Sequence, residues 1–184
     1  MRAPVRPEGA RQAAPRADAA GARQGGPPGA RPMTVQDLDA VLAIEIRAYD
    51  FPWTRGNFID SLAAGYWTVL RLDAAGQLLA YAVAMPALDE MHLLNLTVAP
   101  AHEGQGHARA LLDALQAHCR AQGIVTLWLE VRPSNERARR LYARRGFRAV
   151  GLRRGYYPAP QGRREDAIVM SLALPAPEGG HALD

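Results

Sequence analysis

Two glycines, Gly104 and Gly106, lie in a short loop between an apolar run, 91–98, and a predicted helix that extends to about residue 121. Glycine lets the backbone approach a ligand closely, and the start of a helix presents unpaired N–H groups that carry about half a positive charge. This arrangement suits a pyrophosphate group. The spacing differs from that of a dinucleotide-binding loop, because Arg109 stands where a third Gly or Ala belongs. A plain strand-to-helix turn is the alternative, so the loop alone does not define a site.

A second cluster surrounds Glu130, which lies at the end of an otherwise apolar run, 124–131. A carboxylate at such a position is costly unless it is paired or used. Glu130 can therefore be a strand end at the surface, paired with Arg132 or Arg137, or it can belong to a functional site. Both interpretations stay open on the residue type alone.

Tyr142 lies close to this cluster along the chain. It follows Asn135 by seven residues, two turns of a helix predicted over 135–145, so both side chains can lie on one face. A tyrosine on a helix commonly serves packing, which is the alternative here. The lone cysteine, Cys119, falls on the apolar stripe of the preceding helix, so the pattern predicts a core residue and not a nucleophile.

Taken together, the two clusters occur in an order that resembles the GNAT superfamily of N-acetyltransferases. Leu-Thr-Val-Ala-Pro (96–100) precedes the glycine loop, and Leu-Glu-Val-Arg (129–132) precedes Ser-Asn, Leu-Tyr and Gly-Phe. Within the superfamily, Phe-Pro-Trp (51–53) and Tyr-Tyr-Pro (156–158) resemble bacterial enzymes that acetylate the N-terminal alanine of a ribosomal protein. The resemblance covers roughly residues 31–174.

The resemblance implies roles for particular residues. Glu130 would be the proton acceptor and Tyr142 the proton donor, while Trp53, Tyr156 and Tyr157 would shape the groove for the peptide. The residues implied to bind acetyl-CoA are Leu96, Thr97, Val98, Glu103, Gly104, Gln105, Gly106, His107, Ala108, Arg109 and Asn135. Glu103 and Gly104 stand where the family usually carries Gln or Arg, and Ala108 replaces a glycine. The loop therefore lacks a positive side chain, for which Arg109 is the candidate substitute.

The implied reaction transfers acetyl from acetyl-CoA to the N-terminal alanine of a small-subunit ribosomal protein. An α-amino group has a pKa near 7.7–8.0 and is partly neutral at cytosolic pH, whereas lysine titrates near 10.4. Three alternatives stay open. The same fold can acetylate other protein N-termini, lysine or a small amine; it can act as an acyl-CoA-binding regulator; or an Arg-rich tail can associate the protein with RNA.

Hydrophobic periodicity predicts the elements that must position these residues. The fold class is α/β, the GNAT fold, with a mixed central sheet of about six to seven strands and helices on both faces. Besides the elements already named, helices are predicted near 34–46 and 54–64, a strand just before Met33, a hairpin of strands at 66–72 and 77–85, and strands at 147–152 and 167–173. Tyr156 and Tyr157 are predicted in a polar loop between the last two strands. Thr54 is a candidate cap for the second helix.

The ends of the chain differ in composition from this domain. Residues 1–32 contain nine Ala, six Pro, six Arg and five Gly, with few side chains that can form a core. We therefore predict a disordered tail over 1–30, a folded domain over 31–174 and a flexible tail over 175–184. All 22 basic residues are Arg, and 16 of them balance the 16 acidic residues of 33–184. The domain itself gives no charge argument for binding nucleic acid, although a weak contact through the tail stays open.

The remaining composition narrows the class of protein. The sequence has no apolar run of about 18 residues and no secretory leader pattern, so we expect a cytoplasmic protein without membrane contact. One cysteine excludes an internal disulfide. The five histidines show no recognised ligand spacing, so we expect no metal.

Overall fold

The computed structural model describes residues 29–175, in which one mixed sheet is flanked by four α-helices. The strands are β1 (Ala30–Arg31), β2 (Trp67–Leu72), β3 (Leu78–Ala87), β4 (Glu90–Val98), β5 (Thr126–Val131), β6 (Arg148–Pro158) and β7 (Arg164–Ala173). The helices are α1 (Leu38–Ala48), α2 (Arg55–Ala63), α3 (His107–Ala121) and α4 (Glu136–Arg144). The predicted α/β class and the strand number are confirmed.

The sheet runs in the order β1-β2-β3-β4-β5-β7-β6, and β4–β5 is its parallel pair. Every other neighbouring pair is antiparallel. A parallel pair needs a long crossover, and α3 supplies it between β4 and β5. The glycine loop therefore lies at the carboxyl end of β4, directly before that crossover helix.

Two apolar clusters, one on each face of the sheet, hold the helices in place. The first face is covered by α1 and α2, which bury Leu38, Val41 and Phe58 against Tyr81 of β3. On the opposite face, α3 buries most of its predicted apolar stripe, namely Leu111, Leu112, Leu115 and Cys119, whereas Ala108, also predicted in the stripe, is half-buried. Burial also raises the pKa of the Cys119 thiol to about 11, which keeps it protonated and agrees with a packing role.

Local signals explain the helix ends. Thr54 caps α2 as predicted, because its hydroxyl accepts from the Asn57 N–H at 3.3 Å while the Asn57 side chain accepts from the Thr54 N–H at 2.8 Å. The predicted start of the first helix at Thr34 opens a 3-10 turn, Val35–Asp37, that continues directly into α1. No helix within residues 29–175 is both long and apolar enough to cross a bilayer.

The strand predicted before Met33 is present but has two residues, with Ala30 opposite Arg71 of β2. The predicted tails lie outside the described residues, apart from Gly29, Ala30 and Pro175. The Gly29 carbonyl accepts from the Leu72 N–H at 2.7 Å, so contact with the sheet already starts there.

The largest difference from the sequence prediction concerns β6. The polar loop predicted around Tyr156 and Tyr157 belongs to this strand, which continues to Pro158 and pairs Tyr157 with Glu165. The prediction was wrong because β6 is an edge strand that contains Gly155, Pro158 and the exposed Arg148 and Arg154, a composition that resembles that of a loop. An irregularity between Arg153 and Tyr157 bends the strand, and Asp166 anchors it by accepting from the Gly155 N–H at 2.7 Å.

Candidate active site

The site begins where the sheet opens. β4 and β5 pair from Glu90 with Thr126 to Leu93 with Leu129, and beyond these residues the two strands separate. At the same point the register between β3 and β4 shifts, so that Leu94 is an extra residue in β4. Such a bulge bends the strand that contains it. The edge of β4 over 94–98 is thereby left without a neighbour on the β5 side.

A cavity of about 1470 Å³ occupies this opening. Its walls come from the separated ends of β4 and β5, the glycine loop, α4, the segment between α1 and α2, and the hairpin between β6 and β7. Elements from both halves of the sheet therefore meet in one cleft, whose volume is large enough for a cofactor and part of a second substrate.

The glycine loop lines one end of the cleft. Gly104 and Gly106 have φ angles of 81° and 85°, a backbone conformation that other residues rarely adopt. Gly106 is the N-cap of α3 and brings no side chain to satisfy the first N–H groups of the helix. These donors remain at the cavity wall, which is the arrangement that binds phosphate.

The charge of this loop is set by an ion pair that the sequence analysis missed. Arg137 of α4 contacts the carboxylate of Glu103, so the acidic side chain in the loop has a cationic partner. Arg109, the residue proposed as a substitute cation, instead lies 3.9 Å from Asp113 and is largely exposed. Arg137 therefore offsets the charge of Glu103, and it also lines the cavity.

His107 follows Gly106 and lines the same end of the cavity. Its Nδ1 accepts a hydrogen bond from Arg71 Nε at 2.9 Å, so in the neutral ring Nε2 carries the proton. Burial, then the nearby Arg71 and His102, lower the pKa of His107 and favour this neutral form. Among the described residues, its Nε2 has no hydrogen-bond partner.

Glu130 lies on β5 just past the point of separation. Its side chain is 14% exposed, and its Oε1 lies 3.3 Å from Arg153 of β6. The partners suggested by the sequence, Arg132 and Arg137, bind elsewhere: Arg132 pairs with Glu165 at 3.1 Å, and Arg137 pairs with Glu103. Glu130 is thus a paired carboxylate that still lines the cavity.

Tyr142 of α4 lines the same cavity. It is 8% exposed, and its ring lies 5.7 Å from that of Phe147. Burial is the main reason that the pKa of Tyr142 is raised above its usual value, with a further contribution from Tyr49. The phenol therefore stays protonated at any physiological pH. Asn135 caps α4, since its Oδ1 accepts from the Ala138 N–H at 3.1 Å, and this leaves its amide N–H groups available at the cavity wall.

Aromatic side chains form the remaining wall. Trp53 lines the cavity next to α2, with its ring 5.2 Å from Phe58. Tyr157 lines it on the other side and is covered by the guanidinium of Arg132, 4.3 Å from the ring centroid. Tyr156 does not line the cavity; its ring lies behind, 5.4 Å from the guanidinium carbon of Arg153.

A buried polar network supports the wall formed by α1 and β4. Glu45 is 1% exposed and accepts hydrogen bonds from the Trp53 N–H at 2.9 Å, from the Tyr81 hydroxyl and from Asn95 Nδ2 at 3.3 Å. Thr97 donates to Asn95 Oδ1 at 2.7 Å, which connects the Glu45 carboxylate to the part of β4 that has no strand on the β5 side. From the sequence, Glu45 was assigned only to the first helix and given no role. Its position on the same helix face as the apolar Leu38 and Val41 is the signal that could have indicated a buried, hydrogen-bonded carboxylate.

Most of the sequence-predicted residues meet in this cavity. Those that line it are Trp53, Leu96, Thr97, Val98, Glu103, Gly104, Gly106, His107, Ala108, Arg109, Glu130, Asn135, Tyr142 and Tyr157. Gln105 and Tyr156 do not, and the Gln105 amide instead lies 3.5 Å from the Ala101 carbonyl. No group of three potential metal-ligating side chains occurs within residues 29–175.

Comparison with known proteins agrees with this fold. The acetyltransferase (GNAT) family model matches residues 38–147, and the chain belongs to this family. A relative within it is the ribosomal protein bS18-alanine N-acetyltransferase of Haemophilus ducreyi, 42% identical over 139 residues, which are 76% of this chain and 95% of the relative.

Solved structures give the same result. The crystal structure of the ribosomal-protein-S18-alanine N-acetyltransferase from Escherichia coli matches with a TM-score of 0.75 and 38% identity, covering 84% of this chain and 97% of the other. A phosphinothricin acetyltransferase from Sinorhizobium meliloti, solved in complex with AcCoA, shares the fold with a TM-score of 0.67 at 21% identity, covering 83% and 95% of the two chains.

Proposed function

We propose that this protein transfers the acetyl group of acetyl-CoA to the α-amino group of the N-terminal alanine of ribosomal protein bS18. The observation that carries the proposal is the 42% identity to an enzyme of that name over 95% of its length. The cavity supports it chemically, since a carboxylate and a buried phenol line one cleft beside a glycine loop.

Acetyl-CoA would supply the acetyl thioester, and several features of the chain fit it. The free N–H groups at the start of α3 are suited to the pyrophosphate. The edge of β4 over Leu96–Val98 that has no strand on the β5 side can hydrogen-bond an extended amide-bearing arm, apart from the Leu96 carbonyl, which accepts from Tyr49. The amide N–H groups of Asn135 are additional donors. Because Arg137 offsets Glu103, the loop does not present an uncompensated negative charge to a phosphate.

Glu130 is the proposed proton acceptor. As the amine nitrogen attacks the thioester carbonyl carbon, a C–N bond forms, and the nitrogen must lose one proton while the C–S bond breaks. A carboxylate that lines the cleft can take this proton directly or through a water. Arg153, 3.3 Å from Oε1, orients the carboxylate and fixes which oxygen remains available to the substrate.

Tyr142 is the proposed donor to the departing sulfur. Its raised pKa makes complete proton transfer to a thiolate less favourable than for an ordinary phenol. The same shift guarantees a proton on the hydroxyl, which donates a hydrogen bond to the negative sulfur as the C–S bond breaks. Donors held in place by packing are effective because they need no reorganisation during the reaction.

The aromatic wall bears on the acceptor substrate. Trp53 and Tyr157 both line the cavity, and rigid aromatic rings beside the acceptor amine would favour a small first residue such as alanine. An α-amino group also needs less help to lose its proton than lysine does, because its pKa is lower.

Intact-mass analysis tests the proposal directly. The protein is incubated with acetyl-CoA and with two peptides of the bS18 N-terminus, one free and one blocked at its α-amino group but containing lysine. The free peptide should gain one acetyl group and the blocked peptide none. Because the chain contains no lysine, the enzyme adds no lysine acetylation of its own to the background. Equal acetylation of both peptides would instead indicate a lysine or general amine acetyltransferase.

A further inference from the structure

Tyr49 is a polar residue of the cavity wall to which the proposed chemistry gives no role. Tyr49 is the residue that follows the last turn of α1, and it lines the cavity opposite β5. The residue is 38% exposed, but its hydroxyl lies against β4, at the edge that has no strand on the β5 side. It contacts the Thr97 hydroxyl at 2.8 Å and the Leu96 carbonyl at 3.3 Å.

The direction of these hydrogen bonds is fixed by Glu45. Its carboxylate receives only donors, so the amide of Asn95 must turn its NH₂ group towards Glu45 and its oxygen towards Thr97. Thr97 then donates its only hydroxyl hydrogen to Asn95 Oδ1, at 2.7 Å. Towards Tyr49, Thr97 can therefore only accept.

The second neighbour of the Tyr49 hydroxyl leads to the same orientation. The Leu96 carbonyl can only accept a hydrogen bond, so both contacts draw the phenolic hydrogen into the protein. The lone pairs of the Tyr49 oxygen then remain for the cavity. Burial raises the pKa of Tyr49 to about 12, so the hydroxyl keeps this hydrogen throughout the physiological range.

We infer that Tyr49 binds the acceptor substrate by accepting a hydrogen bond from one of its N–H groups, and that Glu45 is the residue that positions it to do so. This inference rests on the proposed function, since it names the acceptor as a peptide with a free α-amino group. A neutral amine carries two N–H bonds and one lone pair. Hydrogen bonds to Glu130 on one wall and Tyr49 on the other direct that lone pair along the cleft, towards the thioester.

The direct test is Tyr49→Phe, which removes the acceptor oxygen and keeps the ring. At saturating acetyl-CoA, kcat/KM for the peptide should fall roughly two- to ten-fold, the effect of one lost hydrogen bond. The KM for acetyl-CoA should not change. Tyr66→Phe is the matched control, because Tyr66 is not among the residues that line the cavity. A rise in the KM for acetyl-CoA with an unchanged peptide kcat/KM would overturn the inference.

A second peptide, methylated on the nitrogen of its first peptide bond, identifies the donor. If the α-amino group is the donor, Tyr49→Phe causes the same loss with both peptides. If the first peptide N–H is the donor, methylation weakens the wild type but not the variant. Either result supports the inference.

Glu45→Gln tests the positioning role. The new amide can donate to Asn95 Oδ1 if the Asn95 amide flips, so that Asn95 Nδ2 then donates to Thr97. Thr97 is thereby free to donate its hydroxyl hydrogen to the Tyr49 oxygen and occupy it. In the double variant, Glu45→Gln combined with Tyr49→Phe, the loss of peptide kcat/KM should then be no larger than in Tyr49→Phe alone. Additive losses would show that Glu45 acts independently of Tyr49 and would overturn its positioning role.

An incorrect proposed function and an incorrect role for Tyr49 would give different experimental results. Failure of the wild type to acetylate the free peptide contradicts the proposed function and this inference together. Normal acetylation by both the wild type and Tyr49→Phe, with equal peptide kcat/KM, contradicts the inference alone.

Discussion

Glu130→Gln is the substitution that tests the proposed chemistry most directly. Glutamine keeps the size of the side chain, and its oxygen can still accept from Arg153, which lies 3.3 Å from Glu130 Oε1 in the wild type. The fold and cofactor binding should therefore be retained. What is lost is the ability to take a proton. General base assistance is typically worth about 10²–10⁴-fold, so kcat should fall by that order, or by roughly 2.7–5.5 kcal/mol in activation free energy.

The pH dependence gives the sharper criterion. An α-amino group with a pKa near 7.8 is about one-eighth neutral at pH 7 and about nine-tenths neutral at pH 9. A variant that depends on spontaneously neutral amine should therefore gain roughly seven-fold between these pH values, more than the wild type gains. The rescue is bounded by this ratio, so it cannot restore full activity.

The assay is initial-rate acetylation of the free peptide with acetyl-CoA saturating, so that lost binding is not mistaken for lost chemistry. Glu136→Gln, on the exposed side of α4, is the matched control and should behave as the wild type. A kcat for Glu130→Gln within about three-fold of the wild type at pH 7 would refute the assignment of Glu130 as proton acceptor, since that assignment needs at least about 10²-fold.

Three further predictions concern the proton donor, the charge of the glycine loop and the packing of α3. Tyr142→Phe should lower kcat, and raising the pH should not restore it, because the defect lies at the sulfur and not at the amine; rescue at pH 9 comparable to that of Glu130→Gln would contradict this role. Arg137→Ala leaves Glu103 without its cation, so the Kd for acetyl-CoA measured by calorimetry should rise by several-fold, and Arg137→Ala combined with Glu103→Ala should regain much of the loss; an unchanged Kd in the single variant would show that the pair is irrelevant to the cofactor. Leu112→Ala, at a fully buried position of α3, should lower the free energy of unfolding by about 2–5 kcal/mol in chemical denaturation, whereas a loss below about 1 kcal/mol would mean that this face repacks.

The sequence predicted the fold class, the family and most of the elements, because each of these depends on local periodicity and on short motifs. The α3 stripe ending at Cys119 and the cap at Thr54 are examples in which neighbours along the chain decide the structure. Of the site residues that it predicted, all but Gln105 and Tyr156 line the cleft, and their roles stay predictions.

What the sequence could not provide were pairings between distant segments. The partner of Glu130 is Arg153, 23 residues further along, and the nearer arginines were equally plausible from spacing. The link between Glu103 and Arg137 joins two separate elements in the same way. The Glu45 network was missed because its members come from α1, β3 and β4, and only the sheet register brings them together.

The separation of β4 from β5 has a thermodynamic consequence. Only four residue pairs connect these two strands, so the described sheet consists of two wings, β1–β4 and β5–β7, with a narrow joint. A molecule bound in the gap contacts both wings and therefore connects them. Because it binds only the folded protein, it stabilises the fold by about 2.7 kcal/mol at a concentration one hundred times its Kd. Amide hydrogen exchange should detect this stabilisation at the open edge of β4 over 94–98, where protection should rise with occupancy of the gap. The centre of β3 is already paired on both sides, so its protection should change least.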